Sequence, residues 1–283
     1  MKRILTALVL ILVVFAVIFQ PYLWIVTLAA GLVAEFAAFE YARLANLSGL
    51  KIPRWWIAPA TALLFLVAYP WPAWPADTQL PVLTGLAFLL FALSGFRVPL
   101  KQVLPATAAG LFGLVYVAYP LSLLPQIWSR DDGKPLLLFL LVAVWAGDIA
   151  ALYVGKRWGR HKLAPRLSPG KTWEGALASV LGSVLAGGLL FWIGDVFSAR
   201  GNMILHIEEP LWQVLVLALV LNLAAQLGDL LESAIKRGAE VKDSGTLLPG
   251  HGGVLDRIDA LLLAAPVLWY GLLLKDWLHI GRF

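Results

Sequence analysis

No charged residue interrupts the 28 residues from Gln102 to Ser129, and only Asp77 interrupts the 42 from Trp55 to Phe96. A helix crossing a bilayer needs about 20 mostly apolar residues. Comparable runs recur to the end of the chain, so the apolar excess is not a single anchor. The 283 residues are 60% hydrophobic and only 14% charged, whereas soluble domains carry about 25% charged residues. These features predict an all-α fold: a polytopic bundle of transmembrane helices forming one integral membrane domain over 1–283, with no sizeable soluble domain.

The chain has no cysteine. That excludes disulfides, thiolate catalysis and cysteine-based zinc sites. The net charge of +5 would suggest nucleic acid in a soluble protein. Here it follows from Lys and Arg in cytoplasmic loops, and no nucleic-acid partner is expected. Met1-Lys2-Arg3 followed by apolar residues to Phe19 resembles a signal peptide. No small-residue cleavage site follows, so an uncleaved first span is expected.

Hydropathy places spans near 4–19, 21–45, 55–70, 79–96, 103–127, 135–155, 174–194, 211–235 and 254–274, eight or nine in all. The joint Tyr69-Pro70-Trp71-Pro72-Ala73-Trp74-Pro75 has tryptophans suited to the headgroup level. With the N-terminus inside, 17 of the 22 basic residues fall on one side, which the positive-inside rule makes cytoplasmic. The loops 156–173 and 236–253 lie on that side. No internal repeat of the kind found in many transporters is visible.

Ionisable residues within spans are costly and mark sites or buried pairs. The candidates are Glu35, Glu40, Asp148, Asp229 and Glu232, with Asp256 and Asp259 at the start of the last span. On the eighth span Asp229 and Ser233 are four residues apart and share a helix face, with Lys236 further along that side. Asp256 and Asp259 share a face on the ninth. The short linker makes these two helices antiparallel neighbours. Clustered carboxylate and hydroxyl oxygens suit a hard cation such as Mg²⁺. The Gly-rich linker can bring backbone N–H groups to phosphates, and Lys236, Arg237 and Lys242 add positive charge. A metal-plus-phosphate site facing the cytoplasm is the expectation.

The same residues form a pattern. Ser233-x-x-Lys236-Arg237-x4-Lys242-Asp243-x4-Leu248-Pro249-x-His251-Gly252-Gly253-x-x-Asp256-Arg257-x-Asp259 resembles the signature of the phosphatidate cytidylyltransferase (CDP-diacylglycerol synthase) family. Ser168-Pro169-Gly170-Lys171-Thr172-Trp173-Glu174-Gly175 resembles a second element of that family. Trp145, Asp148 and Ala151, with a tyrosine at Tyr153, resemble a third. The matches cover about the C-terminal half, with the catalytic part near 140–260.

The resemblance implies transfer of a cytidylyl group from CTP to phosphatidic acid, releasing pyrophosphate. It implies Mg²⁺, with a possible second cation, a membrane-lipid substrate entering laterally, CTP entering from water, and a homodimer. The small apolar form suits a bacterial inner membrane, and the bias of basic residues faces the site to the cytoplasm. Carried onto this chain, Asp229 and Asp256 would be metal ligands beside Ser233, with Asp259 and Asp148 as further ligand candidates. Lys236 and Arg237 would contact phosphate, as would Ser168, Lys171, Thr172, Lys242 and Arg257. His251 could protonate or bind a phosphate oxygen.

Blander readings stand beside these. Asp229 and Asp256 could pair with Lys236 or Arg257, Asp259 could orient Arg257, and Asp148 could pair with Lys156 or Arg157. Glu40 can pair with Arg43, and Glu35, His161 and His206 receive no role. The Gly170-Lys171-Thr172 run is not a P-loop, because position 165 is Pro where that motif needs Gly and no strand is expected before it. A CTP-dependent lipid kinase, and a transporter whose acids bind cations, remain alternatives.

Overall fold

A computed structural model describes residues 2–69, 78–247 and 252–278, with side chains from residue 9 onward. The Pro/Trp joint at 70–75 and His251 lie outside the described residues.

The helices follow the apolar runs: α1 (Lys2–Phe19), α2 (Leu23–Leu47), α3 (Arg54–Ala68), α4 (Gln79–Arg97) and α5 (Leu100–Gly113). A π-helical turn, Leu114–Ala118, joins α5 to α6 (Tyr119–Trp128). Then come α7 (Gly133–Trp158), strands β1 (Lys162–Ala164) and β2 (Ser168–Thr172), α8 (Trp173–Ser198), α9 (Leu211–Gly238) and α10 (Leu255–Leu278). Among the described residues, seven helical stretches are long and apolar enough to cross a membrane, with α5 through α6 counting as one. Two shorter apolar helices, Val9–Phe19 and Arg54–Ala68, occupy the other expected spans. The chain is an integral membrane protein of all-α class.

The chain forms two compact units. One comprises Met1–Ser129 with Ala234–Ile258, the other Arg130–Ser233 with Asp259–Phe283. In the first, Trp56, Leu64, Leu90 and Leu114 form a buried apolar cluster. The Tyr41 hydroxyl donates to the Ala109 carbonyl at 2.9 Å, and its ring occupies the space a side chain on Gly113 would need. A polar tip on a packed ring thus ties α2 to α5.

In the second unit small residues let helix backbones approach, the usual solution where lipid gives no hydrophobic drive between helices. A Cβ on Gly182 would meet Ala150 Cβ at 2.7 Å, and one on Gly187 would meet Phe139 Cε2 at 2.7 Å. Gly228 abuts the Asp259 carbonyl, while Gly271 lies near Leu217. These two contacts run in opposite chain directions, so α9 and α10 are antiparallel here, as the short linker requires. Away from this packing, Arg130 pairs with Asp276 at 2.9 Å and Lys275 with Glu209 at 2.5 Å.

The 156–173 segment is more ordered than a loop. Strands β1 and β2 pair antiparallel, Lys162 opposite Thr172 and Ala164 opposite Ser168. A strand therefore does precede the Gly-Lys-Thr run. That run lies inside β2 rather than in a turn wrapping a helix N-terminus, so it still lacks the P-loop arrangement.

Candidate active site

The second unit encloses a cavity of about 460 Å³. Its polar lining comes from Asp148 on α7, Lys171 and Thr172 on β2, Ser179 on α8, and Gln226 and Asp229 on α9. Apolar residues such as Leu152 and Leu163 complete the wall.

The hairpin that brings Lys171 here is fixed at its base. The Thr172 side chain caps α8 by accepting the Gly175 N–H at 3.1 Å, and a cap of this kind is worth about 1 kcal/mol. Glu174 accepts the backbone N–H groups of Arg160 and His161 at 3.1 and 3.2 Å, and its Oε1 lies 2.7 Å from His161 Nδ1. His161, which spacing left without a role, thus helps anchor the hairpin.

Lys171 Nζ then reaches Asp229 Oδ2 at 2.5 Å. Asp148 faces the same cavity. Two carboxylates thus stand against one ammonium, an excess of acid that a bound cation would offset.

Asp256 belongs to the first unit. Its Oδ1 pairs with Lys236 Nζ at 2.7 Å. Its Oδ2 accepts the Ser244 N–H at 2.9 Å, the Ser244 hydroxyl at 3.0 Å and the Gly253 N–H at 2.8 Å. The carboxylate is thereby held in one orientation, with its side chain only 6% exposed. Gly252 has φ +80°, and a Cβ there would meet Asp256 Oδ2 at 2.6 Å. Both the backbone conformation and the close approach require glycine.

Glu40 on α2 holds this loop from far away in sequence. Its Oε2 accepts the Ser244 hydroxyl and the Leu255 N–H, both at 2.8 Å. Its Oε1 accepts the Val254 N–H at 3.0 Å. A carboxylate that caps the start of α10 also complements the helix dipole. This replaces the expected Glu40–Arg43 pairing. Nothing local in sequence signals it, because the partners lie more than 200 residues away.

The remaining candidates are placed as follows. Arg237 is exposed and donates to the Val241 carbonyl at 3.0 Å, closing the turn after α9. Lys242 and Arg257 are exposed, Ser168 is half-buried on β2, and Ser233 is buried on α9. Asp259 Oδ1 accepts the Ala260 N–H at 2.8 Å. Neither Lys156 nor Arg157 forms an ion pair with Asp148 among the described residues; the cavity sets Asp148 with Asp229 and Lys171. Glu35 sits in α2 with its Oε2 buried and unbonded.

A group not anticipated from the sequence is uncharged. Ser179, Ser183, Asn222 and Gln226 form one hydrogen-bonded chain between α8 and α9. Polar residues four apart on each of two apolar helices were the available signal.

Comparison with known proteins bears on what this site does. The model of the cytidylyltransferase family matches residues 1–274. The chain belongs to this family. Among curated relatives, phosphatidate cytidylyltransferase of Staphylococcus epidermidis is 33% identical over 271 residues, 94% of this chain and 96% of that protein. The Staphylococcus saprophyticus protein of the same name is 32% identical over 266 residues, again 94% and 96%. The Brucella suis phosphatidate cytidylyltransferase is 47% identical over 162 residues, 57% of this chain and 55% of that protein. The chain thus spans about half the length of the Brucella relatives it matches.

Proposed function

We propose that the chain is a phosphatidate cytidylyltransferase, transferring CMP from CTP to phosphatidic acid for phospholipid synthesis. The observation that carries this reading is the cavity in which Lys171 pairs with Asp229 beside Asp148, in a chain of the cytidylyltransferase family. The printed names of the Staphylococcus relatives support the acceptor.

Charge dictates what the residues must do. A phosphate monoester has a second pKa near 6, so phosphatidate at neutral pH is largely a dianion and needs no strong general base. Its oxygen attacks the α-phosphorus of CTP. One P–O bond forms, the α–β bridging P–O bond breaks, and pyrophosphate leaves with the electron pair. The obstacle is repulsion between two polyanions. Lys171 and Lys236 supply fixed positive charge to phosphate oxygens, with Arg237, Lys242 and Arg257 on the exposed surface as further phosphate contacts.

The carboxylates suit metal binding rather than proton transfer. Among the described residues no three acidic or imidazole side chains form a ready-made cage. Mg²⁺ is commonly held by one or two carboxylates together with substrate phosphates and water, and Asp148 and Asp229 fit that pattern. Asp256 is assigned to the same role on its place in the signature, with Ser233 and Asp259 as lesser candidates. Bound Mg²⁺ would neutralise charge on the triphosphate and on the departing pyrophosphate.

The bias of basic residues supports a cytoplasm-facing site, and the bacterial relatives support a bacterial inner membrane. The homodimer follows from the resemblance alone.

The test is transfer of label from CTP to dioleoyl phosphatidic acid in detergent–lipid micelles. Lipid-soluble label with matching pyrophosphate is the expected result. Binding of CTP without transfer to phosphatidate would point to another acceptor and overturn the assignment.

A further inference from the structure

The uncharged chain beside the cavity has a direction that can be worked out from its fixed ends. Ser183 Oγ lies 2.5 Å from the Ala143 carbonyl oxygen, which can only accept. The Ser183 hydroxyl hydrogen is therefore committed there. Asn222, 2.7 Å from Ser183 Oγ and 2.9 Å from Ser179 Oγ, must donate to Ser183 and so presents its amide nitrogen to both serines. Its Oδ1 then faces Gln226 at 2.6 Å. Gln226 meets two acceptors, this oxygen and the Ala176 carbonyl at 3.2 Å. It too must present its nitrogen inward.

Two valences remain after this accounting. Gln226 Oε1 has no hydrogen-bond partner among the described residues, and neither does the hydroxyl hydrogen of Ser179. Both residues line the cavity that holds Lys171 and Asp229. Apart from Gln226 the chain is buried, with Ser179 and Asn222 each 1% exposed and Ser183 0%. Gly147 on α7 leaves room for it, since a Cβ there would collide with Asn222, Ser183 and Ser179 together. Neither amide can flip without setting donor against donor or acceptor against acceptor. The cavity is thus offered a fixed acceptor and, beside it, a donor.

We propose that Gln226 and Ser179 read the cytosine edge of the nucleotide, Gln226 Oε1 accepting from the exocyclic 4-amino group and Ser179 donating to the neighbouring ring nitrogen or carbonyl. The inference rests on the proposed use of CTP. Phosphatidate carries no N–H donor and only ester and phosphate oxygens, so it cannot satisfy an obligate acceptor as cytosine does. Uracil places a carbonyl oxygen where cytosine has its amino group. That oxygen would face Gln226 Oε1 as acceptor against acceptor. Sites built to bond a particular polar group reject analogues lacking it strongly, because their own groups are left unpaired.

The experiment compares kcat/KM for CTP, dCTP and UTP in the wild type and in Gln226→Met. Taking the CTP/UTP ratio within each protein cancels any shared loss of folded enzyme. The expected result is a fall in that ratio of about tenfold or more in the variant, while the CTP/dCTP ratio and the KM for phosphatidate stay as in the wild type. An unchanged CTP/UTP ratio, or a loss confined to CTP against dCTP, overturns the proposal. No wild-type turnover of CTP at all would instead overturn the proposed function. A second measurement needs no variant: photo-crosslinking of the wild type with 5-azido-CTP. Label on the α8 and α9 segments around Ser179 and Gln226 is expected. Label confined to 236–247 overturns the proposal.

Discussion

Removing the Glu40 carboxylate should disable the chain without touching any proposed ligand. Glu40 accepts three hydrogen bonds from the loop and helix start that carry Asp256. In Glu40→Gln one end of the amide still accepts, but the other presents N–H to donors. At least one of Ser244, Val254 or Leu255 then loses its partner, at a cost of about 1–3 kcal/mol. In Glu40→Ala the Val254 and Leu255 N–H groups both lose it, while the Ser244 hydroxyl keeps Asp256 Oδ2, and a cavity is left as well. With re-solvation offsetting part of this, about 3 kcal/mol is expected. If the loop must be ordered for turnover, 3 kcal/mol corresponds to a loss of about a hundredfold or more in kcat/KM. The assay is CDP-diacylglycerol formation by both variants, alongside limited proteolysis of residues 239–247. The expected order is wild type, then Gln, then Ala in activity, with cleavage rising in the same order. Glu40→Ala within about threefold of wild type, with the loop still protected, would refute the reasoning.

Two further predictions concern stability. Gly147→Ala should destabilise the second unit by about 1–3 kcal/mol, because its Cβ would meet three buried polar atoms at once; thermal unfolding in detergent reads this, and a neutral result would contradict the packing described. Burial, then the Glu209 carboxylate, push the Asp132 carboxyl above the usual carboxylate range. A raised acid contributes stability below its unfolded pKa of about 4 that is lost as pH rises through the folded value. Asp132→Asn should therefore lose less stability than wild type between pH 4 and neutrality, and parallel curves would count against it.

The helices were legible because lipid demands long apolar runs and closes the backbone hydrogen bonds within each one. All nine expected spans correspond to helices, and the π turn inside the fifth changes its local winding but not its extent. The hairpin was hidden, since Ser168-Pro169-Gly170-Lys171-Thr172 has neither alternation nor β-branched enrichment. Asp148 and Asp229 were singled out from their charge in apolar surroundings, and Lys171 from the resemblance of its loop to the family element. Which lysine meets which aspartate was not, because that pairing depends on how the hairpin returns over α9. Glu40 escaped for the same reason at longer range. Gln226 and Asn222 escaped because uncharged amides stand out little against an apolar helix, although their spacing put them on one face.

The most direct test of the account measures cytidylyl transfer to phosphatidate by wild type, Asp229→Asn and Asp256→Asn across pH and Mg²⁺ concentration. If the acids bind metal, both variants lose activity at every pH, and added Mg²⁺ restores part of it at most. Recovery of either variant by raised pH alone would show an acid acting on a proton and would contradict the account.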